Sequence, residues 1–302
     1  MDIDLVRLNL NQNGMNVLKL IIAFIMYGVA LDLKLADFKS LIKNPRGLAA
    51  GFLTQFLVFP LITMAIIYFA DVRPSIALGL VMIAACPSGN LANLVTSLSK
   101  GNVALSVGLT SSATLLSMLT MPFILIFLGS KIPGAQALLS EIHISTREML
   151  EGVFILLGIP MILGMLTAKF FPAFSQKFQK IMSKISIVFL LIFIVGALAA
   201  NYQHFLTYFH MIVGVVFVLN VLILLTAYMV AKVMGLTEYD SRSITMVMGI
   251  KNSALGLAMV FQFFQGMGGM AMIVAWWGIS QIAFGLVAIR FWKYMDAKRV
   301  LA

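Results

Sequence analysis

The stretch Thr245–Val260, TMVMGIKNSALGLAMV, is apolar at both ends and is interrupted in its middle by Gly-Ile-Lys-Asn-Ser. Lys251, within this break, is the one charged residue that lies deep inside a long apolar run. A charge at the centre of a bilayer costs about 2.5–3.5 kcal/mol on insertion scales, so we treat Lys251 as functional. A second apolar stretch, Val81–Ser97 (VMIAACPSGNLANLVTS), carries a similar Gly/Asn/Ser break. Two interrupted segments in corresponding places of two halves indicate the substrate site of a secondary transporter.

The composition is that of a polytopic membrane protein. Of the 302 residues, 61% are apolar and only 11% are charged, and the mean hydropathy is +1.03. A soluble chain of this length would need far more charge on its surface. The net charge of +10 comes from basic residues between the apolar runs rather than on one face. This distribution indicates membrane topology, with the lipid bilayer and not nucleic acid as the partner.

Nine apolar runs are long enough to cross a hydrocarbon layer of about 30 Å as helices. They lie near residues 15–31, 47–70, 76–99, 103–129, 149–168, 185–201, 210–234, 243–264 and 269–292. Because every backbone polar group in lipid must be satisfied internally, unpatterned runs of this length are helices rather than barrel strands. The fold class predicted is therefore all-α, with nine transmembrane helices in a single membrane domain over residues 1–302.

The basic residues between the runs predict the orientation. With the N-terminus outside, fifteen lysines and arginines lie in internal loops and five in external ones. This positive-inside bias predicts an integral protein of the plasma (inner) membrane with a cytoplasmic C-terminus.

Nothing in the sequence predicts an enzyme, and neither a catalytic residue nor a cofactor is assigned. His143, His204 and His210 fall in or beside predicted external loops and have no metal-ligand spacing. All eleven acidic residues are terminal or close to a predicted loop. A mid-membrane carboxylate relay for protons or sodium is therefore not expected.

Uncharged polar groups cluster near the two breaks instead. Asn93 follows the first break, and Ser106 and Thr110 lie one turn apart on a single face of the next run. Gln55 precedes Pro60 in the second run. Each of these side chains could simply form a helix–helix hydrogen bond, worth about 0.6 kcal/mol on average in membranes. Lys251 could alternatively extend its ammonium to a membrane interface, but it is far from both ends of its run.

At these residues the chain resembles the bile acid:sodium symporter family. The resemblance is carried by FLTQFLVFP (52–60), GLVMIAACPSGNLANLVTSLSKGNVALSVGLTSSATL (79–115) and GIKNSALGLA (249–258). It implies two inverted repeats, with a panel domain facing a core domain in which two discontinuous helices cross. The panel would comprise residues 15–31 and 149–201, and the core residues 47–129 and 210–292. Transport would proceed by alternating access, with the core moving against the panel.

The resemblance also implies two sodium sites, whose ligands carry over only in part. The first site's Ser-Asn pair followed by Ser and Thr becomes Ala92, Asn93, Ser106 and Thr110 here. The second broken helix normally reads Glu-x-Gly-x-Gln-Asn-Ser. In this chain its glutamate is Val247 and its glutamine is Lys251, whereas Gln55 matches the glutamine that completes the second site. The anionic ligand shared by both sites is therefore missing.

We therefore expect Lys251 to act as a tethered substitute for the second sodium, which makes transport sodium-independent. The competing hypothesis is sodium symport through a residual site at Asn93, Ser106 and Thr110, with sodium as the only possible metal. If Lys251 exchanges its proton during the cycle, transport could instead be coupled to protons.

The expected substrate is a small or amphipathic organic anion. The side chains that the resemblance implies for its binding are Asn90, Asn252, Ser280 and Gln281. Bile acids, sulfated steroids, hydroxy acids and keto acids all suit an anion site beside apolar walls. A hypothesis of another class is a membrane sensor that binds its ligand without transporting it, although such a protein would not need two broken helices.

Overall fold

The structure is a computed structural model that describes residues 3–8, 12–31, 44–142, 146–179, 181–182, 185, 188 and 202–301. Within these residues the chain is helical, without a β-strand. Five of the described helices are long and apolar enough to cross a membrane. These features agree with the predicted all-α polytopic membrane protein. The predicted sixth span, 185–201, lies almost entirely outside the described residues.

The helices are numbered here in chain order. They are α1 (Gln12–Ala30), α2 (Pro45–Phe69), α3 (Pro74–Ala85), α4 (Leu91–Leu98), α5 (Val103–Gly129), α6 (Ala135–Ile142), α7 (Thr146–Val153, continuing into Ile159–Phe170), α8 (Tyr202–Val233), α9 (Glu238–Gly249), α10 (Ser253–Phe263) and α11 (Gly268–Leu301). The half-helix pairs α3–α4 and α9–α10 correspond to the two runs that the sequence predicted to be interrupted.

Asparagine side chains begin three of these helices. Each accepts a hydrogen bond from the backbone N–H three residues later: Asn44 from Gly47 at 3.0 Å, Asn102 from Leu105 at 3.0 Å, and Asn252 from Leu255 at 3.1 Å. Such caps satisfy backbone donors that have no partner within the helix. The cap at Asn252 matters most, because it starts a helix in the interior of the protein.

Helix α2 contains a π-helical turn at Thr54–Val58, which includes Gln55. Pro60 follows immediately and has no N–H, so it cannot donate the normal hydrogen bond to residue 56. The turn widens the helix where Gln55 lies, and Gln55 is almost fully buried. Turns of this kind are frequent at functional sites.

The broken helices form the centre of the bundle, and the long helices surround them. Every residue of α3 from Ser75 to Ala85 is buried, and so is every residue of α9 from Asp240 to Gly249. Helices α2 and α8 instead expose apolar side chains on one face, as lipid-facing helices do. The arrangement keeps polar backbone at the breaks away from lipid.

The N-terminal segment 3–8 packs across one end of this centre. Leu8 N–H donates to Gly266 O and Gly268 N–H donates to Val6 O, both at 2.8 Å. Asp4 Oδ1 accepts from the Ser75 N–H at 2.9 Å, at the start of α3. Segment 3–8 therefore lies at the same end of the bundle as the starts of α3 and α11.

Two helices are longer than the hydropathy pattern predicts. Helix α8 begins at Tyr202, eight residues before the predicted start at 210, so His210 lies in a helix and not in a loop. Helix α11 continues to Leu301, beyond the predicted end at 292. Hydropathy marks the apolar stretch of a helix, whereas its polar ends can continue past the hydrocarbon layer.

Candidate functional site

The two breaks lie against each other and satisfy each other's backbone. Helix α3 ends before Cys86, which adopts an extended conformation because Pro87 follows it. Asn252 N–H donates to Pro87 O at 2.9 Å, and Gly89 N–H donates to Ile250 O at 3.3 Å. This exchange replaces the helical hydrogen bonds that both segments give up. The predicted paired breaks therefore form one structural unit in the described part of the chain.

Lys251 lies within this unit and is only 1% exposed. Its Nζ donates a hydrogen bond to Gln55 Oε1 on α2. The same Nζ lies 4.7 Å from the centroid of the Phe59 ring, one turn further along α2. An ammonium over an aromatic face in a desolvated site gains about 2 kcal/mol. The alternative in which Lys251 extends its ammonium to a membrane interface is therefore excluded, as its distance from both ends of the run indicated.

Gln55 connects the ammonium to the end of helix α3. Its Nε2 donates to Cys86 O at 3.2 Å and to Ala84 O at 3.4 Å. Carbonyls at a helix C-terminus carry partial negative charge, which favours a nearby cation. The Gln55 side chain therefore bridges the two groups: its amide nitrogen binds the carbonyls at the end of α3, and its amide oxygen faces Lys251 Nζ.

The backbone of Lys251 is held from a third helix. Its N–H donates to Gln281 Oε1 on α11 at 2.8 Å, and Gln281 is 2% exposed. Lys251 therefore joins α2, α11 and both breaks. Among the described residues, no carboxylate forms an ion pair with Lys251 Nζ, and no group of three histidine, cysteine or acidic side chains is suited to a metal.

Asn93, Ser106 and Thr110 come together as the sequence predicted. Asn93 Oδ1 accepts from Ser106 Oγ at 2.7 Å and from Thr110 Oγ1 at 3.4 Å. Thr96, which the sequence analysis did not include, donates from Oγ1 to Ser106 Oγ at 3.2 Å. These hydroxyl and amide oxygens form a polar cluster between α4 and α5. Whether it binds a cation stays a prediction.

The four side chains predicted to contact substrate have different environments. Asn252 caps α10, and Ser280 Oγ donates to Trp277 O at 3.3 Å. Gln281 binds the backbone of Lys251, whereas Asn90 is half-buried just before α4 without capping it. Asn252, Ser280 and Gln281 therefore have internal hydrogen bonds, whereas the Asn90 side chain does not cap the helix that follows it. Their role in substrate binding stays a prediction.

The residue at the position of the family's glutamate is apolar, and its backbone carbonyl already accepts a hydrogen bond. Val247 is fully buried, and its backbone oxygen accepts a hydrogen bond from Ser88 Oγ at 2.5 Å. Ser88 also pairs with Lys251 as an isolated antiparallel bridge. The first break thus contributes a side chain to the helix that precedes the second break.

A charged cluster that the sequence did not predict lies at the far end of α9. Arg242 is 4% exposed and makes two hydrogen bonds with the Asp296 carboxylate, at 2.5 and 3.0 Å. It also donates to Glu238 Oε1 at 3.2 Å and to Ser99 O at 3.0 Å. Arg242 therefore fixes α9 to α11 and to the end of α4. Only its i, i+4 spacing from Glu238 signalled this in the sequence.

The charges in this cluster shift each other's pKa values. Burial alone would raise the pKa of the Glu238 carboxyl, but hydrogen bonds from Lys232, Tyr228 and Arg242 outweigh it, so the pKa lies below its usual value. The hydrogen bond with Asp296 raises the pKa of Arg242 above its usual value, against the effect of burial. Both side chains are therefore charged at neutral pH.

A family model described as the Sodium Bile acid symporter family matches residues 19–208, which is more than half of the chain. The matched region includes the first break, Gln55 and the Asn93 cluster. The second break lies beyond it, and there the resemblance depends on the sequence motif GIKNSALGLA.

Three relatives illustrate the similarity. An uncharacterized sodium-dependent transporter, YocS of Bacillus subtilis, is 24% identical over 280 residues, covering 92% of this chain and 83% of that protein. A rice protein, probable sodium/metabolite cotransporter BASS1, chloroplastic, is 29% identical over 245 residues, covering 80% of this chain and 58% of its own length. The human ileal sodium/bile acid cotransporter is 26% identical over 241 residues, covering 79% and 67%. The chain thus spans little more than half of the plant relative.

Proposed function

The chain belongs to the Sodium Bile acid symporter family, and from this we infer that it is a secondary active transporter of small organic anions. Membership makes it an integral membrane transporter of a small solute and not an enzyme. The observation that carries the finer proposal is the buried contact of Lys251 with Gln55 between the two broken helices. Human and plant relatives carry bile acid and metabolite in their names, which is compatible with an organic anion here.

The polarity of the site supports an anionic substrate. Within the described part of the chain, Lys251 contacts two glutamines and an aromatic ring and no carboxylate. Its charge is therefore not neutralised by a nearby ion pair, and in a low-dielectric interior its field extends further than in water. The N-termini of α4 and α10 both begin at the breaks and add partial positive charge there. Asn90 and Asn252 are the side chains proposed to orient the anion.

We propose that transport does not require sodium. By resemblance, Gln55 and the residue at position 251 are ligands of the second sodium. In this chain the ammonium of Lys251 donates to that same glutamine oxygen. The ammonium there would hold the crossed breaks together as a bound sodium ion would. The nine-span topology, the division into panel and core, and a cytoplasmic C-terminus in the plasma membrane belong to the same proposal.

The proposal is tested by uptake into proteoliposomes. Purified protein is reconstituted, and uptake of labelled taurocholate, pantoate and pyruvate is compared in sodium and choline buffers. We expect at least one of these anions to be taken up at equal rates in the two buffers. Saturable binding without uptake would instead support the membrane sensor, and uptake only in sodium would support symport.

A residual sodium site is the second candidate function, and the convergence of two hydroxyls on Asn93 Oδ1 favours it. The names of several relatives also contain sodium. Against it, Ala92 and Val247 replace two side chains that the resemblance requires as ligands.

The double variant Ser106→Ala/Thr110→Val separates these candidates. If transport does not require sodium, the Asn93 cluster is only a hydrogen-bond network. The double variant should then lower the free energy of unfolding by about 1 kcal/mol per lost hydrogen bond, with uptake still equal in sodium and choline. Thr114→Val is the matched control, since its hydroxyl donates to a backbone carbonyl one turn along the same helix. A sodium-dependent rate that is lost in the double variant and kept in the control would establish the symport candidate.

A further inference from the structure

An apolar groove runs between α8, α9 and α11, away from the contacts of Lys251. Its volume is about 650 Å³, and it is lined mainly by the apolar side chains Phe217, Leu224, Leu225, Phe284, Val287 and Phe291, with Glu238 and Thr245 of α9 also in its wall. Gln55, Phe59 and Gln281, which contact Lys251, do not line it. Phe217, Leu225, Val287 and Phe291 are each more than half exposed. In a membrane, this groove opens toward lipid.

The groove is about as long as one leaflet of the hydrocarbon core is thick. From Phe217 to Tyr228 its wall on α8 covers twelve residues, a rise of about 16 Å. The wall on α11, from Phe284 to Met295, covers the same number. This is about half of a hydrocarbon core of about 30 Å, that is, one leaflet.

One end of the groove is polar and basic. The apolar stripe on α8 reaches Tyr228 and is followed one turn later by Lys232, whereas the stripe on α11 reaches Met295 and is followed three residues later by Lys298. Residues three or four apart share a helix face, so each stripe ends in a lysine. Lys232 is 39% exposed, and its ammonium contacts Glu238 at 2.8 Å. An ammonium has three donors, so others remain for a ligand.

The carboxylates at this end are engaged by protein groups. Glu238 accepts from Lys232, Tyr228 and Arg242, and the Asp296 carboxylate is bound by Arg242. Lys298 lies over the Tyr294 ring at 4.9 Å and is exposed. A basic surface beside an apolar groove between transmembrane helices favours an anionic lipid head group.

We propose that this groove is a binding site for an anionic phospholipid, with one acyl chain along α8 and α11 and the phosphate between Lys232 and Lys298. The apolar length accounts for the chain, and the two lysines account for the preference for negative charge. The site is separate from the one proposed for transport, so either proposal can fail without the other.

The test compares phosphatidylglycerol with phosphatidylcholine of the same acyl chains, titrated onto the purified full chain and counted by native mass spectrometry. We expect one phosphatidylglycerol to bind in preference, and Lys232→Gln and Lys298→Gln each to weaken it about fivefold. Lys169→Gln is the matched control, because Lys169 is also an exposed lysine at a helix end, 5.5 Å from the Phe170 ring. Equal binding of the two lipids by wild type would overturn the proposal, as would equal losses in all three variants.

A second pair of variants tests the groove itself. Ala288 lines it, so Ala288→Phe should displace the acyl chain and reduce binding of phosphatidylglycerol at least tenfold. Leu286 is 61% exposed and lies outside the groove, so Leu286→Phe adds a comparable ring without filling it. Undiminished binding in Ala288→Phe would place the lipid elsewhere and would overturn the assignment.

Discussion

The double variant Val247→Glu/Lys251→Gln is expected to convert a sodium-insensitive protein into one that sodium stabilises. It restores the two ligands that the family pattern places in the second broken helix and leaves Gln55 as it is. Removing the ammonium vacates the glutamine oxygen, and the new carboxylate supplies the missing negative charge. If sodium is present at ten times its Kd, the native state gains about 1.4 kcal/mol. For a chain of this size that raises Tm by about 3 °C.

The measurement is thermal unfolding of the purified protein in sodium, potassium and choline chloride at equal ionic strength. Wild type should unfold at one temperature in all three salts. Val247→Gln/Lys251→Gln is the matched control, because it differs from the double variant only by the carboxylate charge. Stabilisation of wild type by sodium would contradict the tethered cation, and so would the absence of any shift in a folded double variant.

Lys251→Gln alone tests the role of the ammonium in transport. Uptake is expected to fall about tenfold or more in both sodium and choline, because the charge between the breaks is lost and no sodium can replace it without a carboxylate. The contact with the Phe59 ring is lost as well, so Tm in choline should also fall. Unchanged uptake in this variant is the outcome that contradicts the proposal.

The sequence predicted the interrupted helices because chain-breaking chemistry is local. Pro87 forces Cys86 into an extended conformation, and the Asn252 side chain caps the N-terminus of α10. Each break therefore follows from a few adjacent residues. The pairing of Lys251 with Gln55 joins residues 196 positions apart. It could be anticipated only from the family resemblance, since no spacing rule relates distant helices.

Other features depended on geometry that a pattern does not contain. The π-helical turn at Thr54–Val58 changes which way Gln55 projects, and the sequence signals it only through Pro60. Phe59 is one turn from Gln55, so the two residues share a helix face. An aromatic residue in an apolar run usually packs in the core, however, so its position alone does not indicate a cation contact. Arg242 was counted as a topological charge, although it is nearly fully buried and binds Asp296.

Arg242→Met is expected to lower the free energy of unfolding by about 2–3 kcal/mol, because the partly buried carboxylates of Glu238 and Asp296 lose their hydrogen bonds from a nearly fully buried guanidinium. The guanidinium also packs against the Trp292 ring at 5.6 Å, and methionine keeps part of that contact. Lys100→Met is the matched control. Lys100 lies 3.9 Å from the same Asp296 carboxylate but is 71% exposed, so its loss should change stability by less than about 0.5 kcal/mol.

Combining Asp296→Asn with Arg242→Met shows whether stability is lost through the Asp296 carboxylate or through the other contacts of Arg242. In Arg242→Met the Asp296 carboxylate loses the hydrogen bonds of a nearly fully buried guanidinium, so Arg242→Met/Asp296→Asn should be more stable than the sum of the single changes implies. We expect a coupling of about 1–3 kcal/mol, measured by chemical unfolding of the four proteins in one detergent. Strict additivity would mean that Arg242 acts through its carbonyl contact at Ser99 and its packing on Trp292 instead. The end of α9 would then be held to the end of α4 by the Ser99 carbonyl and to α11 by the Trp292 ring, rather than by the ion pair with Asp296.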